Sequence, residues 1–133
     1  MTTGTTTTTT AVDRLLEVVT GARLPVTDVY ATDAEIDTTV PGWRFSVTGT
    51  ERIGSKLDEW FNCPAAVEEL ERHPIAGGEV LTYTVTWEEN GVPHAARHVH
   101  VLTLENDRIT RDQVWCGGRW PARLLAEIEA ARR

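Results

Sequence analysis

The sequence predicts an α+β fold, with amphipathic helices placed ahead of and between long antiparallel strands. Three observations carry this. Residues 11 to 20 set Val12, Leu15, Leu16 and Val19 at i, i+3, i+4 and i+7, one apolar stripe of helical period. Residues 79 to 116, EVLTYTVTWEENGVPHAARHVHVLTLENDRITRDQVWC, read as three long strands joined by two tight turns. Between the first two strands lies Asn90-Gly91, and both residue types accept the positive φ that a two-residue hairpin turn demands.

The remaining elements follow in order. MTTGTTTTTT has no apolar stripe to bury, so residues 1 to 9 are expected to be a disordered Thr-rich lead-in, and residues 10 to 133 a single domain. Thr10 can cap the first helix with Asp13 three residues on, and Gly21 stops it. Pro25 opens a short helical turn that ends near Tyr30. AEIDTTV alternates as a half-buried strand, and Pro41-Gly42 turns the chain into WRFSVTG. Thr50 is positioned to cap a helix with Ile53, Leu57, Trp60 and Phe61 on one face. Segment 65 to 74 fits a helix through Val67 and Leu70, but its place before a hairpin favours a strand. Pro121 opens a closing helix whose Leu124, Leu125 and Ile128 are expected to pack inward.

Composition narrows the function. A chain of 133 residues, 41% hydrophobic and 25% charged, buries a sizeable core in one domain. A net charge of −7 with no basic stripe argues against nucleic acid or an anionic membrane as partner. The amino terminus lacks the basic and apolar regions of a secretory signal, and there is no transmembrane run. Two cysteines, Cys63 and Cys116, are too few for a disulfide framework, which fits a reduced cytoplasmic protein. There is no dinucleotide fingerprint and no phosphate-binding glycine loop, so no cofactor is expected.

With Asn90-Gly91 as the loop, Tyr83 lies across from His98, Val85 across from Ala96 and Trp87 across from His94. Alternation then gathers Tyr83, Val85, Trp87, Ala96, His98, His100 and Leu102 on one sheet face. The turn at Asn106-Asp107 leaves the next strand open. A plain two-residue turn turns Arg111, Gln113 and Trp115 to the His100 face, whereas a longer turn or a bulge turns Asp112, Val114 and Cys116 there.

The order of elements, the stretch YATDAEIDTTVPG and the stretch HVHVLTLENDRITRDQVW resemble the nuclear transport factor 2-like superfamily, in particular its SnoaL-like branch, which is similar to ketosteroid isomerases. The resemblance spans roughly residues 10 to 120. It implies a cone-shaped curved sheet, antiparallel or mixed, wrapped around the amino-terminal helices and a pocket. It also implies a cofactor-independent isomerase, cyclase or dehydratase acting on a carbonyl- or ring-containing molecule. His100 matches the pocket histidine of the cyclases. Their acid/base aspartate falls on Val114, and the isomerases' basic aspartate falls on Thr38, next to Asp37. That leaves Asp112, on the face of Val114, as the substitute acid, with Asp37 as the second candidate. His98, Tyr83, Trp87, Trp43, Val114 and Cys116 are the expected ligand-binding residues, for a small apolar organic ligand.

Two other readings fit parts of the pattern. A non-catalytic binding or dimerisation module shares the pocket but not the turnover. His98-Val99-His100 with Glu105 imitates a cupin metal strand, although Glu105 has the opposite parity and sits at a turn. His94 and His73 are expected at the surface, and Trp43, Trp60 and Trp87 in the core or as a stacking wall. Val99 and Val101, joined by Trp115 if β-bulged, form an apolar outer face that predicts a two-fold homodimer.

Overall fold

The computed structural model describes residues 9–132. The proposed lead-in, apart from Thr9, and the terminal Arg133 lie outside them. The chain begins with helix α1 (Ala11–Val19), whose first turn is closed reciprocally. The Asp13 N–H donates to Thr10 Oγ1, and the Thr10 N–H donates to the Asp13 carboxylate. Ala11, Val12, Leu15, Val18 and Val19 are buried, so the packing face includes Val12, Leu15 and Val19 of the stripe read from the sequence, while Leu16 is half-buried. Gly21 then takes φ +103°, and a Cβ there would stand 2.8 Å from the Cys63 carbonyl oxygen. Only glycine lets the end of α1 lie this close to the loop at residues 61 to 65.

A 3-10 turn (Val26–Asp28) leads to strands β1 (Tyr30–Val40) and β2 (Trp43–Thr48), then helix α2 (Thr50–Trp60). The α2 cap differs from expectation. Gly49, at φ +88°, is the N-cap, no side chain caps the helix, and Thr50 is its first residue. Segment 65 to 74 resolves as a strand, β3 (Ala66–Ile75). It is followed by β4 (Gly78–Glu89), β5 (Val92–Glu105), β6 (Arg108–Cys116), the two-residue β7 (Trp120–Pro121) and helix α3 (Ala122–Ala131). Pro121 is the α3 N-cap rather than its first residue, and no α3 side chain is fully buried. Leu124, Leu125 and Ile128 are half-buried, because α3 lies against β5 and β7 at the margin of the sheet instead of over its core.

One mixed sheet results, ordered β2-β1-β6-β5-β4-β3, with β7 paired to β5. β1 and β6 are parallel, and the other neighbours are antiparallel. Register shifts interrupt three ladders, at Tyr30/Glu35, Glu68/Glu71 and Thr103/Leu104. Each leaves extra residues on one side and bends the strand, so the sheet curls. Its inner face, with Ile36, Leu81, Tyr83, Val85, Ala96, Leu102 and Val114, meets Leu15, Val19, Ile53 and Leu57 from α1 and α2. No helix among the described residues is long and apolar enough to cross a membrane.

Candidate functional site

The β4–β5 ladder has the register derived from Asn90-Gly91, with Tyr83 opposite His98, Val85 opposite Ala96 and Trp87 opposite His94. Asn90 (φ 52°) and Gly91 (φ 77°) both take left-handed backbone. The Asn106-Asp107 turn combines both geometries left open by the sequence. It is a two-residue turn, with Asn106 at φ 51° and Asp107 at φ 55°. The ladder then slips by one residue between Leu104↔Ile109 and Thr103↔Arg111. That bulge turns Asp112, Val114 and Cys116 to the inner face, opposite Leu102, His100 and His98.

Inside the curl lies a cavity of about 950 Å³. Its floor is a chain of hydrogen bonds across four strands. Tyr30 Oη donates to Asp112 Oδ2 (2.8 Å), and His100 Nδ1 lies 2.8 Å from Asp112 Oδ1. His100 Nε2 is 2.8 Å from Tyr83 Oη, which in turn is 3.0 Å from His98 Nδ1. Asp112 and His100 are 1% and 3% exposed. With both carboxylate oxygens and both imidazole nitrogens engaged, that pair is fully satisfied. Burial, reinforced by the Asp112 charge, raises Tyr30 and Tyr83 well above the ordinary phenol range, so both stay protonated donors. Burial, and the neighbouring His100, push His98 down to about 3 against a pull from Asp112. His98 is therefore a neutral imidazole.

Around this floor the wall is apolar, with Leu15, Val19, Leu57, Trp60, Phe61 and Val85 among its residues. Thr38 also lines the cavity, and its hydroxyl is buried without a protein partner. Trp87 stacks on His94 (5.7 Å, 26° between planes), and the Arg119 guanidinium lies 5.5 Å from its ring. Its indole N–H donates to Glu89, which also pairs with Arg119.

Of the residues expected to form the site, His98, His100, Asp112, Trp87, Val114 and Cys116 line this cavity, and Tyr83 lies behind it, bonded to both histidines. Two do not. Asp37 has the opposite parity to Ile36 and Thr38, so its carboxylate lies on the outer face. There it is held by Arg44 (2.7 and 3.0 Å) and approached by Arg111 (3.7 Å). The Arg44 hydrogen bonds hold it below the usual carboxylate range. Trp43, at the tip of the β1–β2 hairpin, is 69% exposed and lines neither core nor cavity. His73 is exposed, but His94 is half-buried by its stack on Trp87. Glu105, the third member of the metal reading, pairs across the β5–β6 turn with Arg108, away from both histidines. No group of three His, Cys, Asp or Glu side chains able to hold a metal is found among the described residues. Tyr30 was missed, although alternation carried back from Ile36 and Ala34 would have placed it inward. Nothing local marks Thr38 as an unpaired hydroxyl.

No family model matches the chain, and no curated protein does either. Solved structures do match. A nuclear transport factor 2-like protein from Anabaena variabilis superposes with a TM-score of 0.66 at 14% identity, over 81% of this chain and 84% of that one. A hypothetical protein with a ketosteroid isomerase-like fold from Catenulispora acidiphila, in complex with trimethylamine, gives 0.60 at 16%, over 84% and 88%. A phenazine biosynthesis-related protein from Pseudomonas aeruginosa gives 0.60 at 9%, over 80% and 75%. The chain thus has the nuclear transport factor 2-like, ketosteroid isomerase-like fold, with a pocket inside a curved α+β sheet.

Proposed function

We propose that this protein is a SnoaL-like, cofactor-independent acid/base enzyme, an isomerase, cyclase or dehydratase of a small carbonyl- or ring-containing molecule. The observation that carries this reading is the Tyr30–Asp112–His100–Tyr83–His98 chain at the floor of an otherwise apolar cavity. Burying several ionisable groups together costs free energy that an apolar core would not incur. Such convergence in a ligand-sized cavity is the usual mark of a site. The apolar wall suits a hydrocarbon ring or chain. The free Cys63 and Cys116 support a reducing, cytoplasmic setting.

In the reaction, Asp112 orients His100 and compensates its positive charge. The neutral His98 faces the ligand, and the protonated Tyr83 joins it to His100. The test does not require the natural substrate. A panel of cyclic ketones and enones is incubated with the protein in D2O, and deuterium incorporation at carbons next to the carbonyl is followed by NMR. Exchange above buffer is expected, lowered about a hundred- to ten-thousandfold in His100→Ala and Asp112→Asn. Quenching of Trp60 and Trp87 fluorescence by a panel member that shows no exchange would favour a binding module.

A further inference from the structure

We infer that His98, not His100, is the residue that exchanges a proton with the ligand, and that the Tyr83 hydroxyl passes this proton to His100, where Asp112 holds it. This inference rests on the acid/base reading above. Its basis is a count of free valences. Asp112 has both oxygens occupied, by Tyr30 and His100. His100 has both ring nitrogens occupied, by Asp112 and Tyr83, and almost no exposed surface. No ligand atom reaches that pair without breaking it. His98 spends only Nδ1, on Tyr83 Oη. Its Nε2 has no protein partner, and it is not among the buried atoms left without one, so it is open to the cavity that His98 lines.

The donors can be assigned from the acid end. Asp112, ionised, only accepts, so Tyr30 donates to it and so does His100 through Nδ1–H. Neutral His100 then accepts at Nε2 from the Tyr83 hydroxyl. With its hydrogen committed there, the Tyr83 oxygen accepts from His98 Nδ1–H, which leaves a lone pair on His98 Nε2. Suppose that lone pair takes a proton from a ligand C–H, whose bonding electrons stay on the ligand as an enolate. The His98 Nδ1 proton moves to Tyr83 Oη while the Tyr83 proton moves to His100 Nε2. His98 ends neutral with Nε2–H, Tyr83 is unchanged, and His100 becomes an imidazolium against Asp112. The reverse sequence returns a proton to the ligand at another carbon. Because the charge rests on His100, the desolvated His98 never carries it.

The titratable and charged neighbours are few. β4 brings Tyr83, β5 brings His100, and β6 brings Asp112 and Cys116, while β1 brings Tyr30. α1 adds only Leu15 and Val19 to the cavity wall, α2 adds one charged residue, Glu59, and the loop after α2 adds the Cys63 thiol. Glu88, Glu89 and Arg119 stand at the mouth.

Ring tautomers are read directly from long-range 1H–15N spectra of the full chain carrying 15N-histidine, with signals assigned through His73→Gln, His94→Gln, His98→Asn and His100→Asn. Near about pH 8, His98 is expected as the Nδ1–H tautomer. On acidification the relay requires His98 to switch to Nε2–H and remain neutral, with the added proton appearing on His100. Tyr83→Phe should abolish this coupled switch, and if that variant fails to fold, the wild-type titration decides alone. His98 found as Nε2–H at the alkaline end, or charged before His100, overturns the relay. In the deuterium assay, His98→Asn should lose at least about a hundredfold. Full exchange in His98→Asn with loss in His100→Ala overturns the relay but keeps the enzyme reading. Absence of exchange in the wild type overturns the reading, and with it any proton exchange with a ligand.

Discussion

At the scale of single residues, the behaviour of His98 follows from where its hydration is lost. Burial and the adjacent His100 hold its folded-state value near 3, whereas in the unfolded chain it titrates near 6.5. Between those values the unfolded chain binds a proton that His98 does not, so its contribution to stability is complete above about pH 6.5 and is lost as the pH falls towards about 3. The loss is of the order of a few kcal/mol. Thermal melts of wild type and His98→Asn over that window should therefore diverge, with the variant the less acid-sensitive. Equal slopes would mean that His98 is solvated in the folded protein. Asp37 shows the opposite situation two strands away, on β1. Its carboxylate is held by Arg44 and approached by Arg111 on the outer face.

At the scale of elements, the cavity depends on how α1 is fastened over the sheet. The Asp107 carboxylate, from the left-handed β5–β6 turn, accepts from the Ala11 N–H (2.9 Å) and from Arg14 (2.9 Å). On the other side Arg72 of β3 reaches Asp13 (2.6 Å) and also Glu79. A strand turn thus caps a helix remote in sequence. Asp107→Ala should cost about 1–2 kcal/mol, lowering the Tm by several degrees and speeding amide exchange in α1. Asp107→Asn keeps the acceptor and tolerates left-handed backbone, so it should recover most of that loss. If both variants melt alike, the charge rather than the cap is what fastens the helix.

At the scale of the whole molecule, the outer face of the sheet is uneven. Its β1 side carries the Glu35, Asp37, Arg44 and Arg111 ion pairs. Next to them Val99 (38% exposed) and Trp115 (43% exposed) are paired in register, with the half-buried Val101 one step along. The bulge that turns Asp112 inward is the same one that turns Trp115 outward. A second copy of the chain, seated on this face about a two-fold axis, would cover the patch. Sedimentation at tens of micromolar should show a dimer for the wild type and a monomer for Val99→Glu, with the fold retained by circular dichroism. A monomeric wild type would remove this assembly from consideration.

Much of the architecture was determined by local chemistry that any chain with this sequence carries. The Thr10/Asp13 box, the stripe of α1 and the Asn90-Gly91 turn are short-range features. Once that turn is set, period-2 alternation obliges Tyr83, His98 and His100 to share a face. What lay beyond the sequence is decided by contacts between distant segments. The β5–β6 slip that brings Asp112 to His100 is a choice of register between two strands, made when one face is buried and the other is not. The outward position of Asp37 depends on which parity of β1 packs on α2. The exposure of Trp43 reflects a hairpin at the edge strand of the sheet that none of the described residues covers. Tyr30 joins Asp112 because β1 pairs in parallel with β6, across 82 residues of chain. Residue type and spacing thus chose the groups, and tertiary packing chose which of them meet.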